Sequence, residues 1–573
     1  MSKQNMALLG DEAIALGALH AGISAAYGYP GTPSTEILAY LIDEAEREAA
    51  ENSGGNSAGK AGSALVAKWC SNEKTALEAA LGASFAGKRA LVTTKHVGLN
   101  VAADPFMNAA LLEINGGLVI AAADDPGMHS SQGEQDSRFY GAFAMVPVLE
   151  PRNQQEAYEM CREAFDISEK FHLPVMLRFV TRLAHSRAAV TPSAPLERKP
   201  LSKIKDKTRW ILIPAFARRN YADLVEKQKA LAVWSSANKV NSLSLEGRDT
   251  SLAVITSGIG GNYYEENLED FVSSRGGKNP AHLHIGAYPI PADSVRKLCE
   301  KAEKILVIEE GQPFVEERVR GILPALQPAG GPAAVIAING KLDGTFVRTG
   351  ELDPDNVRKG LGLPPRPSVL HSGLTLPELP GRPPQLCRGC SHSDSYEVIN
   401  RAVADLDPAP GRPNTAICSD IGCYSLGANP PYQAIESIVC MGASVAMARG
   451  ASEAGMKYAL AVIGDSTFLH GGITCLVDAV QAKANMTVII LDNSVVAMTG
   501  CQETIVPSEH LARLIKGLGV EPEHVVELET SGQFLEENLK RLKQEMEYRG
   551  VSVVIFRRVC IESFRKQRRA AKK

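Results

Sequence analysis

Gly464-Asp465-Ser466-Thr467-Phe468, an apolar helical pattern, and then Met486-Thr487-Val488-Ile489-Ile490-Leu491-Asp492-Asn493 form the stretch whose reading decides the fold. The apolar run 458–463 predicts a buried parallel strand ending in a Gly-Asp turn, and 487–491 predicts a second strand ending in Asp492-Asn493. One helix-length crossover separates them, so the unit is strand, helix, strand. Parallel sheets place ligands at the carboxyl ends of their strands, and here both strands deliver an oxygen-bearing side chain to that edge. Asp465 and Asn493 are thus placed to hold one hard cation between them.

A carboxylate, an amide oxygen and a backbone carbonyl, completed by water or phosphate, suit Mg2+ carried with a diphosphate. The competing reading is an ordinary parallel strand pair with a Gly-Asp turn, and the rest of the chain decides between them. At 573 residues and 45% hydrophobic content, about three to four domains are expected. A net charge of −4 gives no electrostatic case for nucleic acid. No apolar run approaches the length of a membrane span, and the start, Met-Ser-Lys-Gln-Asn, lacks an apolar signal core. The expectation is a cytoplasmic globular protein with no membrane partner. In that compartment the 11 cysteines are thiols or metal ligands rather than disulfides.

Residues 1–195 alternate strand-like and helix-like segments. An Ala/Leu-rich helix at 11–22 is followed by Pro30-Gly31-Thr32-Pro33-Ser34-Thr35-Glu36, whose Ser/Thr run caps a helix starting near Glu36. The hydroxyls and amides of that turn suit a carboxylate. Residues 52–62 are Gly/Ser/Asn-rich and read as a surface loop. Trp69-Cys70-Ser71-Asn72-Glu73-Lys74 opens a second Ala-rich helix, 75–86, with Glu73 in its first turn, where a capping role is the plain reading. Strands at 90–94 and 117–122 lead into polar loops carrying His96 and His129, at the strand ends where substrate contacts belong.

Residues 196–250 read as a linker with an embedded helix. A second α/β unit, 251–360, follows, with strands continuing at 282–286 and 304–309. Its Gly258-Ile259-Gly260-Gly261 is too short a pattern to argue a nucleotide site. Residues 361–385 form a Pro-rich linker. The last block, 386–573, opens with Cys387-Arg388-Gly389-Cys390, which by itself leaves zinc, redox chemistry and an iron–sulfur cluster open. After Asn493, Ser494 to Gly500 make a hydroxyl- and Gly-rich turn suited to a diphosphate. A final strand, 551–556, and a basic tail, 565–573, read as a solvated end, close the chain.

Taken together, Tyr29-Pro30-Gly31-Thr32-Pro33-Ser34, Asn72-Glu73-Lys74, the run from Ala122 to Gln132, Cys387-Arg388-Gly389-Cys390, Asp420-Ile421-Gly422-Cys423-Tyr424, Cys440-Met441-Gly442-Ala443-Ser444 and Gly464-Asp465-Ser466-Thr467-Phe468 occur in this order. This set resembles the large (alpha) subunits of indolepyruvate ferredoxin oxidoreductases, thiamine-diphosphate 2-oxoacid oxidoreductases, over nearly the whole chain. The resemblance implies a multi-domain α/β protein of the parallel-sheet thiamine-diphosphate-binding fold. It places a pyrimidine domain at 1–195, a transketolase C-terminal-like domain at 251–360 and a diphosphate domain at 386–573.

The resemblance also implies roles. Glu73 hydrogen-bonds a nitrogen of the cofactor's aminopyrimidine and assists its proton transfer. Asp420, Gly422, Gly464, Asp465, Ser466, Asn493 and Val495 surround the diphosphate, with Mg2+ on Asp465, Asn493 and the Val495 carbonyl. Thr32, with Ser34, His96 and His129, meets the substrate. The implied reaction is oxidative decarboxylation of an aryl 2-oxoacid to its acyl-coenzyme A, with electrons passed to ferredoxin or another acceptor, in a hetero-oligomer with a small (beta) subunit.

The sequence departs from the family in its cysteines. The large subunit usually carries a ferredoxin-like domain with two sets of Cys-x-x-Cys-x-x-Cys-x-x-x-Cys-Pro, and these 573 residues hold none. Cys387, Cys390, Cys423 and Cys560 instead match the places of the four ligands of one [4Fe-4S] cluster in related enzymes, although Arg388, Ser391 and Val559 stand where prolines are more usual. Two alternatives follow: a non-oxidative thiamine-dependent 2-oxoacid decarboxylase, or a silent cofactor-binding subunit. The joint presence of Glu73, Asp465 and Asn493 argues against the second.

Overall fold

A computed structural model describes residues 5–53, 64–322, 336–367 and 384–570. The chain forms two compact units, Met1–Leu374 and Thr375–Lys573. Of the Gly/Ser-rich stretch 52–62, the first two residues end helix Thr35–Ser53 and the rest lie outside the described residues, as do 368–383 of the Pro-rich stretch. The start of the basic tail lies in helix Ile561–Ala570, and the last three residues lie outside the described set. Among the described residues no helix is long and apolar enough to cross a membrane.

The first unit holds two large sheets and a two-stranded antiparallel pair, Met6–Leu9 with Arg187–Val190. In the seven-stranded sheet the order is Ala287–Tyr288, Val148–Leu149, Val175–Val180, Leu118–Asp124, Ala90–Lys95, Ala25–Gly28 and Val66–Trp69. All neighbours are parallel except Ala287–Tyr288, which runs antiparallel to Val148–Leu149. Every residue of Leu118–Asp124 and of Val175–Val180 is buried, as in a sheet covered on both faces, and the two charged members, Asp124 and Arg178, pair with each other. The five-stranded sheet has the order Ala337–Asn339, Lys304–Ile308, Asp249–Ser257, Pro280–Ile285 and Ser242–Ser244.

The two sheets are joined by the chain itself. It leaves Pro280–Ile285 and, after Gly286, adds Ala287–Tyr288 to the edge of the larger sheet. Asn241 fixes this junction, its Oδ1 accepting from the amides of Gly286 at 2.8 Å and Ala287 at 2.9 Å. The helix expected within 196–250 is Pro214–Ala237, and it buries Leu224 and Leu231 in the core of this unit.

The second unit is built on six parallel strands in the order Ser437–Ile438, Thr415–Ser419, Tyr458–Gly464, Met486–Asp492, Val551–Arg557 and Val525–Glu529. Tyr458–Gly464 and Met486–Asp492 are entirely buried and lie side by side, with Gly464 opposite Leu491. From Thr415–Ser419 the chain goes first to one neighbour and then returns to the other. The carboxyl ends of Thr415–Ser419 and Tyr458–Gly464 therefore flank a topological switch point, where such sheets open a crevice.

Candidate active site

Two turns meet at that switch point. Asp420 follows strand Thr415–Ser419 and is fully buried. Its carboxylate accepts from the Ser444 hydroxyl at 2.7 Å and amide at 3.2 Å, and from the Tyr424 hydroxyl. Burial pushes its pKa up to about 6. The Tyr424 ring lies where side chains at Gly422 and Gly464 would sit, an added Cβ coming within 2.3 and 2.6 Å of it. These glycines allow the ring its approach. The Thr467 hydroxyl donates to the Ile421 carbonyl at 3.1 Å and ties the two turns together.

Asp465 is the first residue after strand Tyr458–Gly464 and is buried. Its oxygens accept from the backbone amides of Ser466 and Ser494, each at 2.9 Å, so one carboxylate grips both strand ends. Burial, and then the neighbouring Asp492, pushes its pKa well above the usual carboxylate range. Asp492 is held by Arg557 at 3.1 Å and the Ser508 hydroxyl at 2.7 Å, whereas among the described residues no basic side chain pairs with Asp465. A divalent cation would supply the missing charge, so the donor set fits Mg2+. Asn493 turns its amide nitrogen to His392 Nε2 at 3.3 Å, accepts from the Val495 amide at 3.1 Å on Oδ1, and through its carbonyl from the Cys560 amide at 3.1 Å. Val495 begins a short strand, Val495–Val496, paired antiparallel with Gln502–Glu503.

That last bond brings Cys560 to the same edge. Cys390 is the N-cap of helix Ser391–Leu406, and Cys423 opens the 3-10 turn Cys423–Ala428. Burial pushes the Cys423 thiol up to about 12, and Cys560, Cys390 and Cys387 add to the shift by their charge. Burial also raises the Cys390 thiol, followed by Cys387 and Cys560. The four cysteines lie within electrostatic reach of one another, and anionic sulfurs so grouped fit a multi-iron cluster that shares their charge.

In the first unit Glu73 is the first residue of helix Glu73–Phe85, with Asn72 as cap accepting from the Thr75 amide at 2.9 Å. Its carboxylate is buried, and a Cβ at Gly98 would come within 2.4 Å of Oε1. The Thr32-Pro33 turn is tight: Gly31 accepts from both the Ser34 amide and the Ser34 hydroxyl at 2.9 Å. The Ser34 hydroxyl is therefore spent on closing the turn. The Thr32 carbonyl accepts from Ser130 at 3.0 Å. His96 is buried, with Nε2 on the Gly133 carbonyl at 2.9 Å and Nδ1 without a hydrogen-bond partner. His129 is 55% exposed and faces Glu351 at 3.5 Å.

Several neighbours were not legible beforehand. Lys95 lays its stem along Gly31, donates to the Ser130 carbonyl at 3.0 Å, and has its pKa pulled down to about 8 by burial. It stands in sequence beside His96, but only the packing on Gly31 brings it to the Thr32 turn. Asp492 precedes Asn493 at a strand end, which is a signal for the edge. Arg557 follows the predicted strand 551–556 and carries the same signal, and His392 lies two residues beyond the Cys387–Cys390 motif.

Residues 16–211 match the family model for the pyruvate flavodoxin/ferredoxin oxidoreductase, thiamine diP-binding domain. Residues 420–556 match the thiamine pyrophosphate enzyme C-terminal TPP binding domain. The indolepyruvate oxidoreductase subunit IorA of Methanothermobacter thermautotrophicus is 37% identical over 97% of this chain and 87% of its own length. The IorA subunit of Archaeoglobus fulgidus is 35% identical over 98% and 87%, and that of Thermococcus kodakarensis 34% over 97% and 86%. With likeness at this level running along nearly its whole length, the chain belongs to the IorA family, the large subunits of indolepyruvate oxidoreductases.

Proposed function

We propose that this chain is the thiamine-diphosphate-binding subunit of an enzyme that oxidatively decarboxylates an aryl 2-oxoacid of the indolepyruvate kind. The product is the acyl-coenzyme A, the electrons go to ferredoxin or a similar acceptor, and a small subunit completes a cytoplasmic hetero-oligomer. Family membership supports the substrate class, and the observation that carries the site is the buried carboxylate of Asp465 at the sheet's switch point, with which no basic side chain among the described residues pairs. Residues 1–195, 251–360 and 386–573 serve as the pyrimidine, transketolase C-terminal-like and diphosphate domains.

Asp465, the Asn493 amide oxygen and the Val495 carbonyl would hold Mg2+, with Gly464, Ser466, Asp420 and Gly422 shaping the diphosphate cradle. The Asn493 oxygen accepts from the Val495 amide with one lone pair and has a second for the ion. When bound, thiamine diphosphate supplies the electron sink that lets a 2-oxoacid lose CO2. Glu73, held in place under Gly98, keeps a proton on the aminopyrimidine side. The Thr32 turn and the Lys95 ammonium receive the substrate carboxylate, and His96 offers its unpartnered Nδ1 to substrate polar atoms. His129, on a more open loop, meets the substrate's outer part. Cys387, Cys390, Cys423 and Cys560 would hold one [4Fe-4S] cluster for electron exit.

Purification without oxygen followed by iron and sulfide analysis tests the electron route. About four of each per chain is expected, with loss on Cys423→Ser. An iron-free enzyme that turns the 2-oxoacid into an aldehyde would replace this reading with non-oxidative decarboxylation. Glu73→Ala in the complete complex should abolish turnover, and unchanged turnover would remove Glu73 from the mechanism.

A further inference from the structure

A second group of metal-ligating side chains lies in the first unit. Asp11 is in the first turn of helix Gly10–His20, Glu36 in the first turn of helix Thr35–Ser53, and His185 ends helix Thr181–His185. One ligand atom from each lies within 4.8 Å of the other two, and His185 Nε2 is 3.7 Å from Glu36 Oε2. Gly10 explains why they converge: a Cβ there would meet the Leu183 carbonyl at 2.1 Å, so the glycine lets the two helix ends close up.

Asp11 gives the independent indication of a ligand. It is fully buried, and neither carboxylate oxygen has a hydrogen-bond donor, nor has Glu36 Oε2. Burying an ionised carboxylate with no compensating partner costs several kcal/mol, so native structures fill such places with a cation or a proton. Burial, and then Glu36, pushes Asp11 well above the usual carboxylate range, as expected of a group whose counter-charge is missing.

We propose that Asp11, Glu36 and His185 form a divalent-metal site, separate from the one at Asp465, for an ion of the Mn2+ or Zn2+ class. Two carboxylates and one imidazole mix hard and borderline donors, which favours these ions over Mg2+ or Ca2+. Ligand atoms about 2.0–2.2 Å from one ion lie up to about 4.4 Å apart, so the observed spacing needs only small side-chain shifts. Two negative charges meet one divalent ion, and the remaining coordination positions are open to water. Glu36 follows the Thr32–Ser34 turn by two residues, so the ion would also brace the start of the helix that carries this turn.

The test uses the full-length chain bearing Asp465→Asn, which removes the other cation site, stripped with chelator and titrated with Mn2+ while free Mn2+ is followed by electron paramagnetic resonance. One bound Mn2+ per chain is expected, weakened at least tenfold by His185→Gln and again by Asp11→Asn. His185 is partly exposed, so its variant tests the site even if Asp11→Asn fails to fold. Crystals soaked in Mn2+ should show an anomalous peak beside His185 Nε2. No Mn2+ or Zn2+ binding in the Asp465→Asn chain, or binding indifferent to His185→Gln, would overturn the site and leave Asp11 and Glu36 sharing a proton.

Discussion

The two units bury carboxylates at strand ends in opposite ways. In the first, Asp124 at the end of Leu118–Asp124 meets Arg178 at 2.7 Å, and Arg138 meets Asp136 and, at 3.1 Å, Glu309. Glu150 accepts from Arg178 and from the Tyr288 hydroxyl. Two guanidiniums thus pair with four buried acids, and burial still holds Asp124 above the usual carboxylate range and Glu309 at about 7. In the second, Asp492 has Arg557 while the adjacent Asp465 accepts from two backbone amides and, among the described residues, pairs with no basic side chain. Compensated burial marks structure, and uncompensated burial marks a place kept for a ligand.

That contrast yields predictions of unequal size. Arg178→Met strips Asp124 of its guanidinium and leaves Glu150 to Tyr288 and Arg138, and should cost about 3–5 kcal/mol, read as a drop in the denaturant midpoint. A loss below 1 kcal/mol would mean that the network is not structural. Asp465→Asn should leave stability without cofactor nearly unchanged, yet weaken Mg2+-dependent thiamine diphosphate binding about 100-fold, or about 2.8 kcal/mol, by calorimetric titration. Equal damage to stability would erase the distinction between the two regions.

Gly98→Ala drives a methyl into Glu73 Oε1. The expected result is about 1–3 kcal/mol of overpacking, with turnover falling more than thermal stability explains. The smallest effect concerns Lys95, which is cationic below its pKa of about 8 and neutral above it. KM for the 2-oxoacid should therefore rise about tenfold from pH 7 to 9 as one charge is lost, and Lys95→Met should flatten the profile at the high value. A profile unchanged by that variant would take Lys95 out of substrate binding.

What the sequence disclosed follows from the same physics. The strands at 458–463 and 487–491 were legible because a parallel strand covered on both faces must be apolar throughout. Their observed ends run on to Gly464 and Asp492, as do Ala90–Lys95 and Leu118–Asp124 to their polar last residues, because ladder hydrogen bonds do not depend on side-chain polarity: Asp492 still pairs with Arg557, and Asp124 with Val180. The two-residue strands Val148–Leu149, Ala287–Tyr288 and Ser437–Ile438 are too short to show a period. Asp465 and Asn493 stood out as polar residues at predicted strand ends. Lys95 and His392 did not, since each joins its neighbours through packing between segments distant in the chain.

The strand Ala287–Tyr288 has a consequence for dissecting the protein. A fragment ending near residue 250 would lose this strand and leave Val148–Leu149 as an open edge. It would also lose Glu309, Tyr288 and the Glu310 and Gln312 carbonyls that receive Arg138. Arg138 would keep Asp136, but an unpaired edge beside newly exposed core invites strand addition between chains, so such a fragment should aggregate on expression. Any recombination of this enzyme with a relative must carry residues 1–360 as one cassette.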